Sequence, residues 1–168
     1  MRKPIVKGGR LDTRYASIFG DVARIIDAAR ESAARSVNAV MTAAYWLIGR
    51  DIVEFEQSGE KRAEYGMALI ERLAADLTKR FGRGFSRQNI RQMRAFYLAY
   101  PPEQIRQTPS GISEAISFEV GFDDLLTAFP LPWSAYVRLL SVRNEHAREF
   151  YEAEALRGGW SVLSLIHI

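Results

Sequence analysis

The sequence predicts an all-α protein: a helical bundle that carries one helix-turn-helix unit. Three observations support that expectation. Apolar residues recur at steps of three and four along the first hundred positions, the period of a helix with one buried face. Capping and stopping residues punctuate those stripes where helix ends belong. No segment sustains strand alternation, and at most one short extended pair fits, near residues 116–120.

Residues 1–14 hold Pro4, a Gly8-Gly9 pair and a basic excess without periodicity, so they are expected to form a flexible basic arm. From about residue 15 to 56 a stripe runs through Ile18, Val22, Ile25, Ala29, Val37, Val40, Ala44, Leu47 and Ile52. The run is rich in Ala and free of Pro, which favours helix. It exceeds an ordinary globular helix, so a break is expected at Gly20, within residues 36–38 or at Gly49, with Ser58-Gly59 ending the pattern. Such a stripe predicts bundle core. Homo-oligomer formation through these N-terminal helices is the second reading of the same face.

A second helix begins near Gly66 and places Ile70, Leu73, Ala74, Leu77 and Phe81 on one face, with Gly82 at the C-terminal cap. Ser86 suits the N-cap of a third, and Phe85 and Ile90 occupy the two positions of a hydrophobic staple. That helix runs from Arg87 to about Tyr100, where Pro101-Pro102 stops it. Two helices joined by a tight glycine turn make a unit of helix-turn-helix type at about residues 66–100. Further on, Pro109-Ser110-Gly111 marks turns, and short helical pieces fit residues 113–118 and 123–129. Ser134 is expected to cap a helix through Ser141, and Asn144 another through Leu156, closed by Gly158-Gly159. Ser161 looks like the N-cap of a helix barely begun.

Composition bounds the chemistry. The chain has 168 residues, 48% hydrophobic and 26% charged, enough to bury a core and too apolar for wholesale disorder. Cysteine is absent, which excludes disulfides, zinc-thiolate sites and thiol nucleophiles and fits a cytoplasmic setting. The longest uncharged window, residues 36–49, is too short to span a bilayer, so no membrane partner is expected.

The net charge of +3 is unevenly placed. Between Asp76 and Glu103 there is no acidic residue, yet the stretch holds Lys79, Arg80, Arg83, Arg87, Arg91 and Arg94; without those six, 17 basic residues face 20 acidic ones. On the third helix, Gln88, Arg91, Gln92 and Ala95 lie opposite the apolar face, with Arg87 and Arg94 on one shoulder. Arg and Gln pair bidentately with guanine and adenine edges in the major groove. Ser86 and the N–H groups at the helix start can hold a phosphate, with Lys79, Arg80 and Arg83 supplying charge beside it. Double-stranded DNA is therefore the expected partner. Arg87, Gln88, Arg91 and Gln92 are assigned to bases or groove, and Lys79, Arg80, Arg83 and Arg94 to phosphates.

Catalytic patterns are missing. A metal-dependent nuclease of the restriction type needs an acid-x-Lys motif, and the residues two before Lys3, Lys7, Lys61 and Lys79 are Met1, Ile5, Gly59 and Leu77. Asp123-Asp124 reads as a helix N-terminal turn rather than a metal site. His146, near Glu149, reads as a surface histidine. Gly82-Arg83-Gly84 has the spacing of neither nucleotide-binding glycine loop. No cofactor, metal or catalytic residue is assigned. Tyr45-Trp46, Phe96-Tyr97 and Phe150-Tyr151 are expected in the core.

Several stretches resemble a known family. Tyr45-Trp46-x-Ile48-Gly49, Arg62-Ala63-Glu64-Tyr65-Gly66, and Phe81-Gly82-x-Gly84-Phe85-Ser86-x-x-Asn89 occur in order, followed by Met93-Arg94-x-Phe96-Tyr97. Trp133-Ser134, Glu149-Phe150-Tyr151-Glu152-x-Glu154-Ala155-Leu156 and Gly159-Trp160-Ser161-Val162 complete the series. Together they resemble the N-terminal domain of the YhcG-like proteins, bacterial proteins regarded as PD-(D/E)XK nucleases. The resemblance implies a helical, winged-helix-like DNA-binding domain at residues 15–162, ahead of a separate nuclease domain that carries the acid-x-Lys motif. Ala135 stands where relatives often have His. After Val162 relatives continue with a polar helix, whereas this chain ends Leu163-Ser164-Leu165-Ile166-His167-Ile168. Residues 163–168 are accordingly expected to be a non-native tail on a truncated fragment, exposing apolar area and resembling translated adapter DNA.

The expected function is thus a non-enzymatic DNA-binding module that positions a nuclease domain lying outside this chain. The alternative is a helical protein-protein interaction or dimerisation module without nucleic-acid contact, supported by the apolar stripe of residues 18–52 and the acidic helix around Glu149.

Overall fold

A computed structural model describes residues 8–58, 62–106, 120–160 and 164–167. Its elements are α1 (Gly8–Gln57), α2 (Arg62–Phe81), α3 (Arg87–Ala99), α4 (Pro102–Arg106), α5 (Phe122–Ala128), α6 (Trp133–Leu139), α7 (Glu145–Gly158) and a final 3₁₀ turn, Ser164–His167. The protein is all-α, with no strand among the described residues. The expected extended pair near residues 116–120, the Pro109-Ser110-Gly111 turns, the helical piece at 113–118 and the Ser161 cap lie outside the described residues, apart from Val120 itself, which is in no strand.

The first helix departs most from expectation. It starts at Gly8, inside the expected arm, and runs unbroken past all three candidate breaks. The surroundings of the three candidates differ. The Ser36 hydroxyl donates to the Ser32 carbonyl at 3.0 Å, satisfying itself within its own helix. Gly20 has open space around it, and Gly49 serves a contact described below. The chain nevertheless divides into two compact units between Val37 and Asn38. In the first unit, α1 leaves Ile18, Phe19, Val22, Ile25, Ile26 and Val37 exposed, so the expected core role fails for this half of the stripe. Its polar side carries the ion pairs Asp21–Arg24 and Glu31–Arg35.

Within the second unit, α1 becomes buried from Thr42 onward, at Thr42, Ala43 and Trp46. One apolar cluster joins Ile52 of α1 to Ile70 and Ala74 of α2 and to Ile90 and Met93 of α3. Phe85 packs on the same cluster as Ile90, as the staple predicts. A second cluster gathers around Phe96 of α3, whose ring lies 4.7 Å from Phe129, 5.0 Å from Tyr136, 5.1 Å from Tyr100 and 5.3 Å from Trp133. Trp46 belongs to it and donates its indole N–H to the Tyr100 carbonyl at 2.8 Å, holding the end of α3 against α1.

The ends of the helices follow their caps. The Asn144 side chain accepts from the Ala147 N–H at 2.9 Å to start α7, and Gly159 closes it in the left-handed conformation. Asp124 reaches back to accept from the Gly121 N–H at 3.1 Å, as expected of a helix N-terminal turn. Three expectations are corrected. The helix expected after a Ser134 cap starts two residues earlier, at Trp133 with Pro132 as its cap, and the Trp133 ring packs on Phe96 and on Tyr45 at 5.0 Å. Phe150 is exposed, since α7 turns that side to solvent. Leu165 is buried beside Tyr136 and Leu139, so the exposure expected of the C-terminal tail is not met there.

Candidate nucleic-acid interface

The basic segment occupies the end of α2, the turn after it and the start of α3. Lys79 and Arg80 sit in the last turn of α2. The Gly82 N–H donates to the Thr78 carbonyl at 2.9 Å, and Gly82 and Gly84 have φ of +81° and +111°. Only glycine adopts such angles without strain, and the two together reverse the chain within a few residues. Ser86 then caps α3, its hydroxyl oxygen accepting from the Asn89 N–H at 3.2 Å.

Asn89 is the residue whose role sequence reasoning missed. Its side-chain N–H₂ donates to the Gly84 carbonyl, while its side-chain oxygen accepts from the Trp133 indole N–H at 2.8 Å. Both ends of one amide are thereby used, which holds the basic turn in register with α6. The Phe81-to-Asn89 motif contains Asn89, but its partner lies 44 positions away and leaves no local signal.

The predicted contact residues divide into groups. Lys79, Arg80, Arg83, Ser86, Arg87, Gln88 and Arg91 are exposed, and Gln92 and Arg94 are half-buried. Among the described residues no carboxylate lies within ion-pair distance of Lys79, Arg80, Arg83 or Arg91. The Arg80 guanidinium rests 5.0 Å from the centre of the Phe81 ring, which leaves its charge available on the surface. Arg87 pairs with Glu71 at 3.2 Å, both well exposed. Such a pair is weak enough to be exchanged for a phosphate. Arg94 differs: its Nε lies 2.7 Å from Oε2 of Glu56, whose side chain is only 13% exposed. Its first duty is to tie α3 to the end of α1, because removing it would strand a mostly buried carboxylate.

The region therefore offers a surface turn with uncompensated positive charge, adjoining a helix face of Gln and Arg. It can attract and orient a polyanion. Among the described residues no three His, Asp or Glu side chains gather as a metal site. His146 lies at the surface, 3.6 Å from Glu149.

The family model described as the DUF1016 N-terminal domain matches residues 21–168. The chain belongs to that family. A similar protein is the one named "Putative nuclease YhcG" from Escherichia coli (strain K12), 51% identical over 162 residues. That match covers 90% of this chain but only 43% of the relative, so the chain spans less than half the relative's length. No solved structure gives a significant match. No helix is long and apolar enough to cross a membrane among the described residues.

Other residues of this DUF1016 N-terminal domain have structural duties. The Tyr136 hydroxyl donates to Oε1 of Glu152 at 3.0 Å, joining α6 to α7. Arg148 donates to the Ala99 carbonyl at 3.0 Å and to the Val142 carbonyl at 3.4 Å, fastening α7 to the end of α3. Burial raises the Glu152 carboxyl above its ordinary value, and the nearby Glu149 adds to this; Tyr100, Tyr136 and Arg148 oppose it. Burial and the Glu152 charge raise the Tyr100 and Tyr136 hydroxyls in turn.

A pH dependence follows. The folded carboxyl of Glu152 holds its proton more tightly than the unfolded one. It favours folding fully at low pH, and that contribution is lost as pH rises through the raised folded value. Glu152→Gln keeps an acceptor for Tyr136 without the charge. Its thermal midpoint is expected to exceed that of the wild type at neutral pH, with the gap closing as pH falls below the ordinary carboxyl value. Melting curves from pH 4 to 8 check this, and a gap that is constant with pH would contradict it.

Proposed function

We propose that this domain binds double-stranded DNA through the α2–α3 turn and the first turns of α3, and so positions the catalytic part of a longer nuclease of PD-(D/E)XK type. The observation that carries the proposal is the group of exposed cations Lys79, Arg80, Arg83 and Arg91, which have no carboxylate partner among the described residues, on an acid-free run of the sequence. In the proposed complex, Lys79, Arg80 and Arg83 meet phosphates beside the α3 N-terminus. Gln88, Arg91 and Gln92 read the groove, with Arg87 released from Glu71. Arg94 contributes field rather than contact, since Glu56 holds it. The α2–α3 pair then acts as a helix-turn-helix in the DNA-binding sense. The relative's name as a nuclease supports a nucleic-acid partner.

Fluorescence anisotropy against a random duplex at two salt concentrations tests this. Affinity is expected to fall steeply with salt, with a log–log slope near 0.9 for each phosphate contacted. Arg83→Ala should weaken binding to every sequence and reduce that slope by about one unit. Arg91→Ala should instead lower discrimination between sequences. Weak binding that is indifferent to salt would remove the proposal.

A further inference from the structure

The exposed half of α1 has a pattern that ordinary solvation does not explain. From residue 18 to 36 the positions Ile18, Val22, Ile25, Ala29, Ser32 and Ser36 follow the strict four-three alternation of a coiled-coil seam. Phe19 and Ile26 widen it on one flank. These large side chains stand in solvent, Ile25 at 69% exposure. Monomeric proteins rarely leave so continuous an apolar row uncovered. A helix is also marginal in water when nothing packs on its apolar face.

We infer that residues 18–36 of α1 pair antiparallel with the same residues of a second copy of this chain. The seam is graded along its length: its first half is bulky and its second half small. In an antiparallel pair the layers become Ile18 against Ser36, Val22 against Ser32 and Ile25 against Ala29, each repeated by symmetry. Every layer then joins one large and one small side chain, which keeps the helix axes evenly spaced near the close end of the usual range, roughly 8 Å. On the flank, Phe19 falls opposite Ala33, and Ile26 meets its own copy. The whole seam is about 27 Å long.

Charge points to the same register. The flank opposite Phe19 and Ile26 carries Asp21, Ala28 and Arg35 at heptad spacing. In the antiparallel register Asp21 faces Arg35 of the second copy, twice by symmetry, with Ala28 facing itself at the centre. Among the described residues both side chains are engaged in surface pairs along their own helix, Asp21 with Arg24 and Arg35 with Glu31, which exchange at little cost. A parallel pair would set Asp21 beside Ile26, stack bulky on bulky in one half and put serine on serine in the other. The interface is isologous and closes at two copies. It is independent of the DNA-binding proposal and stands or falls separately.

Sedimentation equilibrium of the 168-residue chain over a range of concentrations tests the inference. A species of twice the 19.0 kDa chain mass is expected. Ile25→Glu, at an exposed position, should raise the dimer dissociation constant by more than about tenfold, without moving the tryptophan emission of Trp46 and Trp133 in the second unit. Asp21→Arg and Arg35→Asp should each weaken the dimer, and the two together in one chain should restore it. Because the chain has no cysteine, register can be read by cross-linking. Val22→Cys mixed with Ser32→Cys should give an oxidised heterodimer, while neither alone should cross-link. A monomer at every concentration would overturn the inference and leave the face to another segment of a longer protein. Self-cross-linking of Val22→Cys would overturn it in favour of a parallel pair. A dimer insensitive to Ile25→Glu would place the interface elsewhere.

Discussion

Phe96→Ala is expected to lower the free energy of unfolding by about 3–5 kcal/mol. The ring is fully buried and touches four aromatic neighbours from three stretches of chain: Tyr100 at the end of α3, Phe129 just after α5, and Trp133 and Tyr136 on α6. Deleting it removes their common partner and leaves a cavity that no single neighbour can fill without leaving its own contacts. Small domains have roughly 5–15 kcal/mol in total, so the variant should give up a large fraction of its stability. Urea titration followed by tryptophan fluorescence measures the loss directly, because Trp133 lies 5.3 Å from the deleted ring. A loss below about 1.5 kcal/mol, the range of volume-conserving swaps, would mean that the cluster collapses around the gap and is not the centre of the core.

Gly49→Ala should be destabilising by about 2–3 kcal/mol, even though alanine is the better helix former by about 1 kcal/mol. A Cβ on residue 49 would lie 2.1 Å from the Met93 carbonyl oxygen and 2.8 Å from its carbon. Both are backbone atoms of α3, so no side chain can swing aside. The helices would have to separate, opening the two apolar clusters that meet there. Gly20→Ala is the control, since Gly20 sits on the same helix with nothing within 4 Å. That change should be neutral or stabilising by up to about 1 kcal/mol. Opposite signs at two glycines of one helix would isolate the close approach as the cause, and equal signs would show that α1 and α3 slide past each other.

Gly49 also shows why sequence reasoning misjudged it. In a long helical pattern a glycine reads as weakness, and Gly49 is one of the three candidate breaks. The residue is instead a point of close contact between α1 and α3, a fact that depends on Met93, 44 positions away. Arg94 is a parallel case. Its place in an acid-free run marked it for phosphate, but Glu56, 38 positions earlier, lies against it. Lys79, Arg80, Arg83 and Arg91 are exposed, and among the described residues no carboxylate pairs with them. Asn89 was quoted within a motif without a role, since its role is to bridge the turn to Trp133.

The helices themselves were determined locally. Apolar spacing set the buried faces of α2 and α3, Ser86 and Asn144 set two N-termini, and Gly82 and Gly159 set two ends. Each depends on residues within about one helical turn, and that range is what a sequence displays. The placement of six cations with no acid between them is local in the same sense. Only the tertiary structure decided which half of the α1 stripe is covered and which cations keep their charge. It also decided that one glycine is a contact and another is merely open. Those outcomes rest on pairs of residues brought together from far along the chain, and the spacing of side chains on a single helix carries no record of them.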